Sequence, residues 1–234
     1  MDPRMPEPSR PPRCLPCGDQ ALLVELGDTI CPELNAQVRR LQLALQRAAP
    51  TGVIDLHPSY ASLLIRFDSL RLRRQALLEQ VDKALSQLSE VELPPPRRVE
   101  VPMVYGGAAG PDLDDVAHRS GLSAAAAAEL HSAAAYQVYF LGFAPGFAYL
   151  GGLPAALHTP RLATPRPSVP AGSVGIAGPQ TGIYPLATPG GWRLIGRTEL
   201  TIFDAKKTPM SLLQPGDEVR FVPLPPHRLR ASWQ

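Results

Sequence analysis

Past Gln137 the chain loses its helical period, and that change constrains the fold more than any other feature of the sequence. Runs such as "VPAGSVGIAGPQTGIYPLATPGGWRLIGRT" hold short apolar stretches cut by Gly and Pro, and none is long enough to repeat as an amphipathic helix. "LTIFDA" and "PGDEVRFVPL" add two further strands, the second behind a Pro-Gly-Asp turn. Many short strands joined by tight turns bury their apolar faces by closing on one another, so this half is expected to form a closed or nearly closed β-barrel.

Within that half, "YFLGFAPGFAYLGGLP" (residues 139–154) is unlike an ordinary buried strand. A strand starts at "VYFLGF", breaks at "APG", resumes at "FAYLGG" and stops at Pro154. Glycine permits positive φ and close approach of a ligand to the backbone, and aromatic rings supply flat apolar contact. Gly142, Phe143, Pro145, Gly146 and Phe147 are therefore expected to form one wall of a cleft.

The first hundred residues follow another pattern. "ALLVEL" (residues 21–26) reads as a strand, and "PELNAQVRRLQLALQRAA" places Leu34, Val38, Leu41, Leu45 and Ala48 on one helical face. "GVIDLHPS" and "SLLIRF" read as two strands, "LRRQALLEQVDKALSQL" as a second amphipathic helix, and "RRVEVPMVY" as a further strand. The order β-α-β-β-α-β predicts a ferredoxin-like α/β unit. "LPPPRR" (residues 93–98) is the expected hinge, because consecutive prolines hold an extended backbone. The expected organisation is a flexible proline-rich N-terminus over residues 1–17, an α/β domain over 18–96, a barrel domain with inserted helices over 97–226, and a tail over 227–234.

Composition excludes several functions. With 23 basic and 21 acidic residues spread along the chain and a net charge of +2, no basic stripe offers itself to nucleic acid. "GPDLDDVAHRSGLSAAAAAELH" outlines a helix-turn-helix, capped by Ser123, but its second helix opens on alanines that cannot reach base edges. No apolar run matches a signal-peptide core or a membrane span, so a cytoplasmic protein is expected. "CLPC", Cys14 to Cys17, has the spacing of a redox pair but follows a proline-rich lead-in and lacks the strand-to-helix setting that chemistry needs. With Cys31 and five dispersed histidines the chain shows no zinc pattern, and no metal site is expected.

Taken in order, "GDQALLVELGD", "GVIDLHPSYASLLIRFD", "VPMVYGGAAGPDLDDVA", "YQVYFLGFAPGFAYLGGLP", "TPRPSVPAGSVGIAGPQTGIYPLATPGGWRLIGRT" and "LLQPGDEVRF" closely resemble the Kip inhibitor-like family. That family is also known as allophanate hydrolase subunit 1, or as the B-type subunit of 5-oxoprolinase. The resemblance implies an α+β protein, with a small α/β domain followed by a β-barrel of cyclophilin-like architecture. It further implies a companion of the Kip A or subunit 2 type and a LamB/YcsF-type subunit, together hydrolysing 5-oxoproline to glutamate with ATP bound in the complex. Two alternatives follow from the same resemblance: the carboxyltransferase half of a biotin-dependent urea-degrading enzyme, and an inhibitor of a histidine kinase.

The residues bear on mechanism as well. No G-x-x-x-x-G-K-[ST] loop, Gly-x-Ser-x-Gly elbow or His-Glu-x-x-His is present. Anion binding is therefore expected at glycine turns, Gly172-Ser173 and Pro189-Gly190-Gly191. Arg197, Gln180 and Thr181 are the expected cation and polar donors for a developing oxyanion, facing the Gly142 to Phe147 wall. His131 precedes "AAAYQVYFLGF", where the family motif also carries a histidine, and is the remaining catalytic candidate; Tyr184 joins the substrate-binding set, and His158 ranks below both.

Overall fold

Alternation along Leu22 and Val24, and along Leu63, Ile65 and Phe67, turns one face of an antiparallel sheet inward. The computed structural model describes residues 11–225, and the chain divides between Pro95 and Pro96 into two units. In the first, β1 (Arg13–Pro16), β2 (Ala21–Glu25), β3 (Val53–Pro58) and β4 (Ser62–Phe67) lie in the order β1-β2-β4-β3, all antiparallel. Helices α1 (Pro32–Ala48) and α2 (Arg74–Ser86) cover the apolar face with Leu34, Val38, Leu41, Leu45, Leu77 and Val81. Pro32 stands in the first turn of α1, where a missing N–H costs nothing.

This is not the ferredoxin-like arrangement expected. The β-α-β-β-α run is present, but "RRVEVPMVY" forms β5 (Arg98–Tyr105) and belongs to the second unit. The place beside β2 is filled from the N-terminal side by β1, which includes Cys14. Residues 13–16 are thus an edge strand rather than a flexible lead-in, and an edge tolerates Pro16, whose nitrogen donates nothing to a ladder. Cys14 is half-buried against the sheet core, and Arg13 pairs with Glu25 across the ribbon at 2.6 Å. The rest of the expected N-terminal segment, residues 1–10, and the tail from residue 226 lie outside the described residues.

The second unit continues with α3 (Leu113–Arg119), α4 (Ala124–Ala133), β6 (Tyr136–Leu141), β7 (Ala148–Gly151), β8 (Arg166–Val169), β9 (Ser173–Ala177), β10 (Gln180–Ile183), β11 (Thr188–Gly190), β12 (Arg193–Thr198) and β13 (Glu218–Leu224). Seven strands close a barrel in the order β10-β7-β6-β13-β5-β12-β9, and β8 pairs with β11 in a separate ribbon. Only the β5–β13 pairing among these is parallel. Val101, Met103, Val138, Ile176, Ile195 and Phe221 fill the interior.

The helical pair that outlines a helix-turn-helix serves this core instead. Leu113, Val116, Ala117 and Ala127 are buried in it. Ser123 caps α4 by accepting a hydrogen bond from the Ala126 N–H at 3.2 Å, as its residue type predicts. Ahead of α3, Asp112 accepts hydrogen bonds from the Leu194 N–H on β12 and from Arg166 Nη2 on β8, both at 2.7 Å. Asp115 pairs with Arg193 of β12 and with Arg119. The acids of "GPDLDD" therefore fasten the helices to the barrel wall and to the β8–β11 ribbon.

Candidate functional site

Strands β6 and β7 are joined by residues 142–147, the broken centre of the glycine and aromatic stretch. The Gly142 N–H donates to the Phe147 carbonyl at 3.0 Å, and the Phe147 N–H donates to the Ala144 carbonyl at 3.0 Å. Gly146, at φ 82°, occupies the left-handed region, and a Cβ there would stand 2.7 Å from the Phe203 side chain. Phe143 also has positive φ, 62°, and is 63% exposed. A non-glycine residue held left-handed with its ring in solvent is a local cost that the loop sustains through its own hydrogen bonds.

Two side chains of this loop, Phe143 and Phe147, line a cleft. Phe143, Phe147 and Tyr149 face Tyr184, Gly190, Gly191 and Trp192 across a cleft of about 90 Å³, with Arg161 also lining it. Phe147 meets Tyr184 and Trp192 edge to face, with centroids 5.2 and 5.4 Å apart. Tyr184 fills the space next to Gly190, where a Cβ would come within 2.5 Å of its hydroxyl, so that glycine is required by packing.

Burial raises the phenol pKa of Tyr184, against the smaller downward pulls of the Trp192 backbone N–H and the Arg161 and Arg166 charges. Tyr149 is raised for the same reason, with Arg161 opposing. The cleft thus presents neutral phenols and guanidinium charge. On the β8–β11 ribbon, Arg166 Nη1 and Thr188 Oγ1 are buried without a protein partner.

Of the residues expected to bind substrate, Phe143, Phe147, Tyr184, Gly190 and Gly191 line this cleft. Gly142, Pro145 and Gly146 build the loop but do not line it. Gly172 and Ser173 make no anion pocket: the Gly172 N–H donates to the Tyr184 carbonyl at 2.7 Å, and the Ser173 carbonyl accepts from the Tyr184 N–H at 2.8 Å. Their role is to fix Tyr184.

The expected opposite wall of Gln180, Thr181 and Arg197 is corrected by the structure. Thr181 is fully buried inside the barrel, because alternate residues of a strand face opposite ways and its position faces inward. Gln180 opens β10 opposite Ala177, and Arg197 donates from Nε to the Ala171 carbonyl at 2.8 Å. None of the three lines the cleft. His158 bonds the Leu153 carbonyl at 3.1 Å and shapes its own loop. Tyr149, Arg161 and Trp192 also line the cleft; their signal in the sequence is adjacency alone, Tyr149 beside the 142–147 loop, Trp192 beside Gly190-Gly191 and Arg161 in the proline-rich "TPRLATPRP".

His131, the other catalytic candidate, is likewise a core residue. It is 0% exposed, on the last turn of α4. Thr181 donates its hydroxyl proton to the Gly175 carbonyl at 2.9 Å, so toward the imidazole it accepts: His131 Nε2–H donates to Thr181 Oγ1 at 3.2 Å. Nδ1 then accepts from the Tyr105 hydroxyl at 2.7 Å. Tyr136 donates to the His131 carbonyl at 2.7 Å, and the Phe221 ring lies 4.6 Å from the imidazole. Burial lowers the His131 pKa from 6.5 to about 3, so the ring is neutral. With both nitrogens engaged and no exposed surface, it holds strands together rather than touching a substrate.

Among the described residues no helix is long and apolar enough to cross a membrane. A family model described as "Carboxyltransferase domain, subdomain C and D" matches residues 12–213. The chain is 47% identical over 213 residues to the B-type subunit of 5-oxoprolinase from Escherichia coli O157:H7, covering 90% of this chain and 95% of that protein. The crystal structure of TTHA0988 superposes with a TM-score of 0.77 at 40% identity over 88% of this chain; the chain spans 40% of that protein's length. Kluyveromyces lactis urea carboxylase, at 23% identity and a TM-score of 0.74 over 93% of this chain and 22% of that one, shares the fold. The matched span runs through both units, and on it the chain belongs to the carboxyltransferase domain, subdomain C and D, family.

Proposed function

We propose that this chain is the B-type subunit of an ATP-dependent 5-oxoprolinase, hydrolysing 5-oxo-L-proline to L-glutamate only together with companion subunits. The near full-length match to the B-type 5-oxoprolinase protein of Escherichia coli O157:H7 carries this reading. The cleft supports the dependence on companions. It offers apolar rings, neutral phenols and Arg161, but neither a nucleophile poised beside a base nor a carboxylate.

ATP does not fit here. A cleft of about 90 Å³ is far below the roughly 300 Å³ at which pockets begin to enclose drug-sized ligands. The Gly172 amide, a candidate for phosphate on sequence grounds, is committed to Tyr184. In this reading phosphoryl chemistry falls to the partners, a Kip A or subunit 2-type protein and a LamB/YcsF-type subunit, and the need for ATP is in keeping with work in the cytoplasm. The barrel is read as cyclophilin-like within this scheme.

The test is glutamate release from 5-oxoproline and ATP by the purified chain, by its companions, and by the mixture. Turnover is expected from the mixture alone; turnover by the isolated chain would refute the dependence. The family description favours a second reading, the carboxyltransferase half of a biotin-dependent urea-degrading enzyme. Carboxyl transfer from carboxybiotin to urea by the reconstituted mixture, without oxoprolinase activity, would select it.

A further inference from the structure

The geometry points to the aromatic cleft of the barrel unit as a binding site for a small, flat, ring-bearing carboxylate, with Arg161 as the residue that selects the anion. Identifying that anion with 5-oxoproline rests on the proposed function; the assignment of the site does not.

Shape is the first observation. Phe147, Tyr149, Tyr184 and Trp192 form a network of mutually tilted rings, with centroids 4.9 to 5.9 Å apart along Phe147–Tyr149, Phe147–Tyr184 and Tyr149–Trp192. The about 90 Å³ between this network, Phe143 and the Gly190-Gly191 backbone is several times the roughly 10 to 15 Å³ that one water needs. It is sized for a single small ring.

Charge decides what kind of ring. Aromatic cages elsewhere hold ammonium ions. Here Arg161 lines the cavity, and its charge acts on the phenols of both Tyr149 and Tyr184. Arg166, whose charge also reaches Tyr184, keeps one hydrogen-bonding nitrogen for Asp112 and has Nη1 buried without a protein partner. No acidic side chain pairs with Arg161 among the described residues. With Arg166 neutralised by Asp112, the Arg161 guanidinium beside neutral rings is the charge that repels a cation and attracts an anion, and it can donate two parallel hydrogen bonds to a carboxylate. Phe143, exposed on a left-handed backbone, is placed to cover an occupant.

Trp192 is buried in the cleft and supplies the readout. The full chain, carrying Trp233→Phe so that Trp192 alone emits, is titrated with 5-oxo-L-proline, 2-pyrrolidone, acetate and choline. A saturable Trp192 response to 5-oxo-L-proline is expected. Binding should be at least about tenfold weaker for the ring without a carboxylate and for the carboxylate without a ring, and absent for choline. Arg161→Gln should weaken 5-oxo-L-proline binding by about tenfold at unchanged melting temperature, and Arg161→Lys should recover part of it.

A missing Trp192 response, equal binding of 2-pyrrolidone, or a dissociation constant within twofold of the parent in Arg161→Gln overturns the site. Response to choline overturns the sign of the charge argument and the site with it. The two readings separate cleanly. Oxoprolinase turnover in the reconstituted mixture with no Trp192 response sinks the site and keeps the function. A Trp192 response that follows ring and carboxylate, in a mixture that never hydrolyses 5-oxoproline, keeps the site and sinks the function.

Discussion

Acidification should loosen the barrel unit through His131, by an amount the structure sets. The imidazole is fully buried among Tyr105, Tyr136, Thr181 and Phe221, with no carboxylate or cation against it, and its pKa falls from 6.5 to about 3 through burial alone. Because the folded value is depressed, the unfolded chain binds the extra proton first. The stabilisation is complete above about pH 6.5 and is lost progressively between that value and about pH 3. At about 1.4 kcal/mol per pH unit the window amounts to roughly 5 kcal/mol, of which about 2 kcal/mol is gone by about pH 5. The measurement is urea unfolding followed by Trp192 emission in the Trp233→Phe background, at about pH 7 and about pH 5, for the parent and for His131→Gln. Carboxylates elsewhere contribute alike to both proteins and cancel in the comparison. The variant should start lower at neutral pH, having lost a satisfied buried network, yet lose about 2 kcal/mol less on acidification. Equal losses in the two proteins would show that His131 is already protonated in the fold or reachable by solvent, and the account of a neutral core histidine would fail.

Asp112→Ala should cost about 3 kcal/mol, because it strands the Leu194 N–H and leaves Arg166 without its counter-charge; a loss under about 0.5 kcal/mol in the same urea assay would contradict the clamp. Cys14→Ser with Cys17→Ser should leave the activity of the reconstituted complex unchanged, since Cys14 acts as a half-buried apolar group on an edge strand and Cys17 is exposed; loss of turnover in reducing buffer at normal stability would restore a redox or metal role.

Periodicity made the two helices of the first unit and the strand-rich second half legible, because a long apolar stripe or its absence survives any tertiary context. Strand partnership was not legible. "RRVEVPMVY" suits the edge of an α/β sheet and the wall of a barrel equally well, and what decides is a parallel register with residues more than a hundred positions away, Val99 beside Val219 and Val101 beside Phe221. In the same way "RCLP" looks like a lead-in until the free edge of β2 is known to need a neighbour. At the cleft, the loop from Gly142 to Phe147 announced itself by composition, whereas Arg161 sits in a proline-rich stretch with no periodicity to place it.

One physical rule separates the two sets of candidates that composition had merged. Neighbouring positions on a strand face opposite sides of the sheet, so in a closed barrel a polar residue one step from a surface residue is inside. Thr181 follows Gln180, and Thr181 is fully buried while Gln180 keeps partial exposure. Inside, each polar group must be satisfied by the fold, and the His131, Tyr105, Thr181 and Gly175 chain does this with none left for a substrate. Outside, Arg161 keeps donor capacity next to the apolar rings of the cleft. Satisfied polar groups hold a structure and unsatisfied ones invite a ligand, so in this barrel the ligand-facing group is Arg161 at the cleft and not the histidine within.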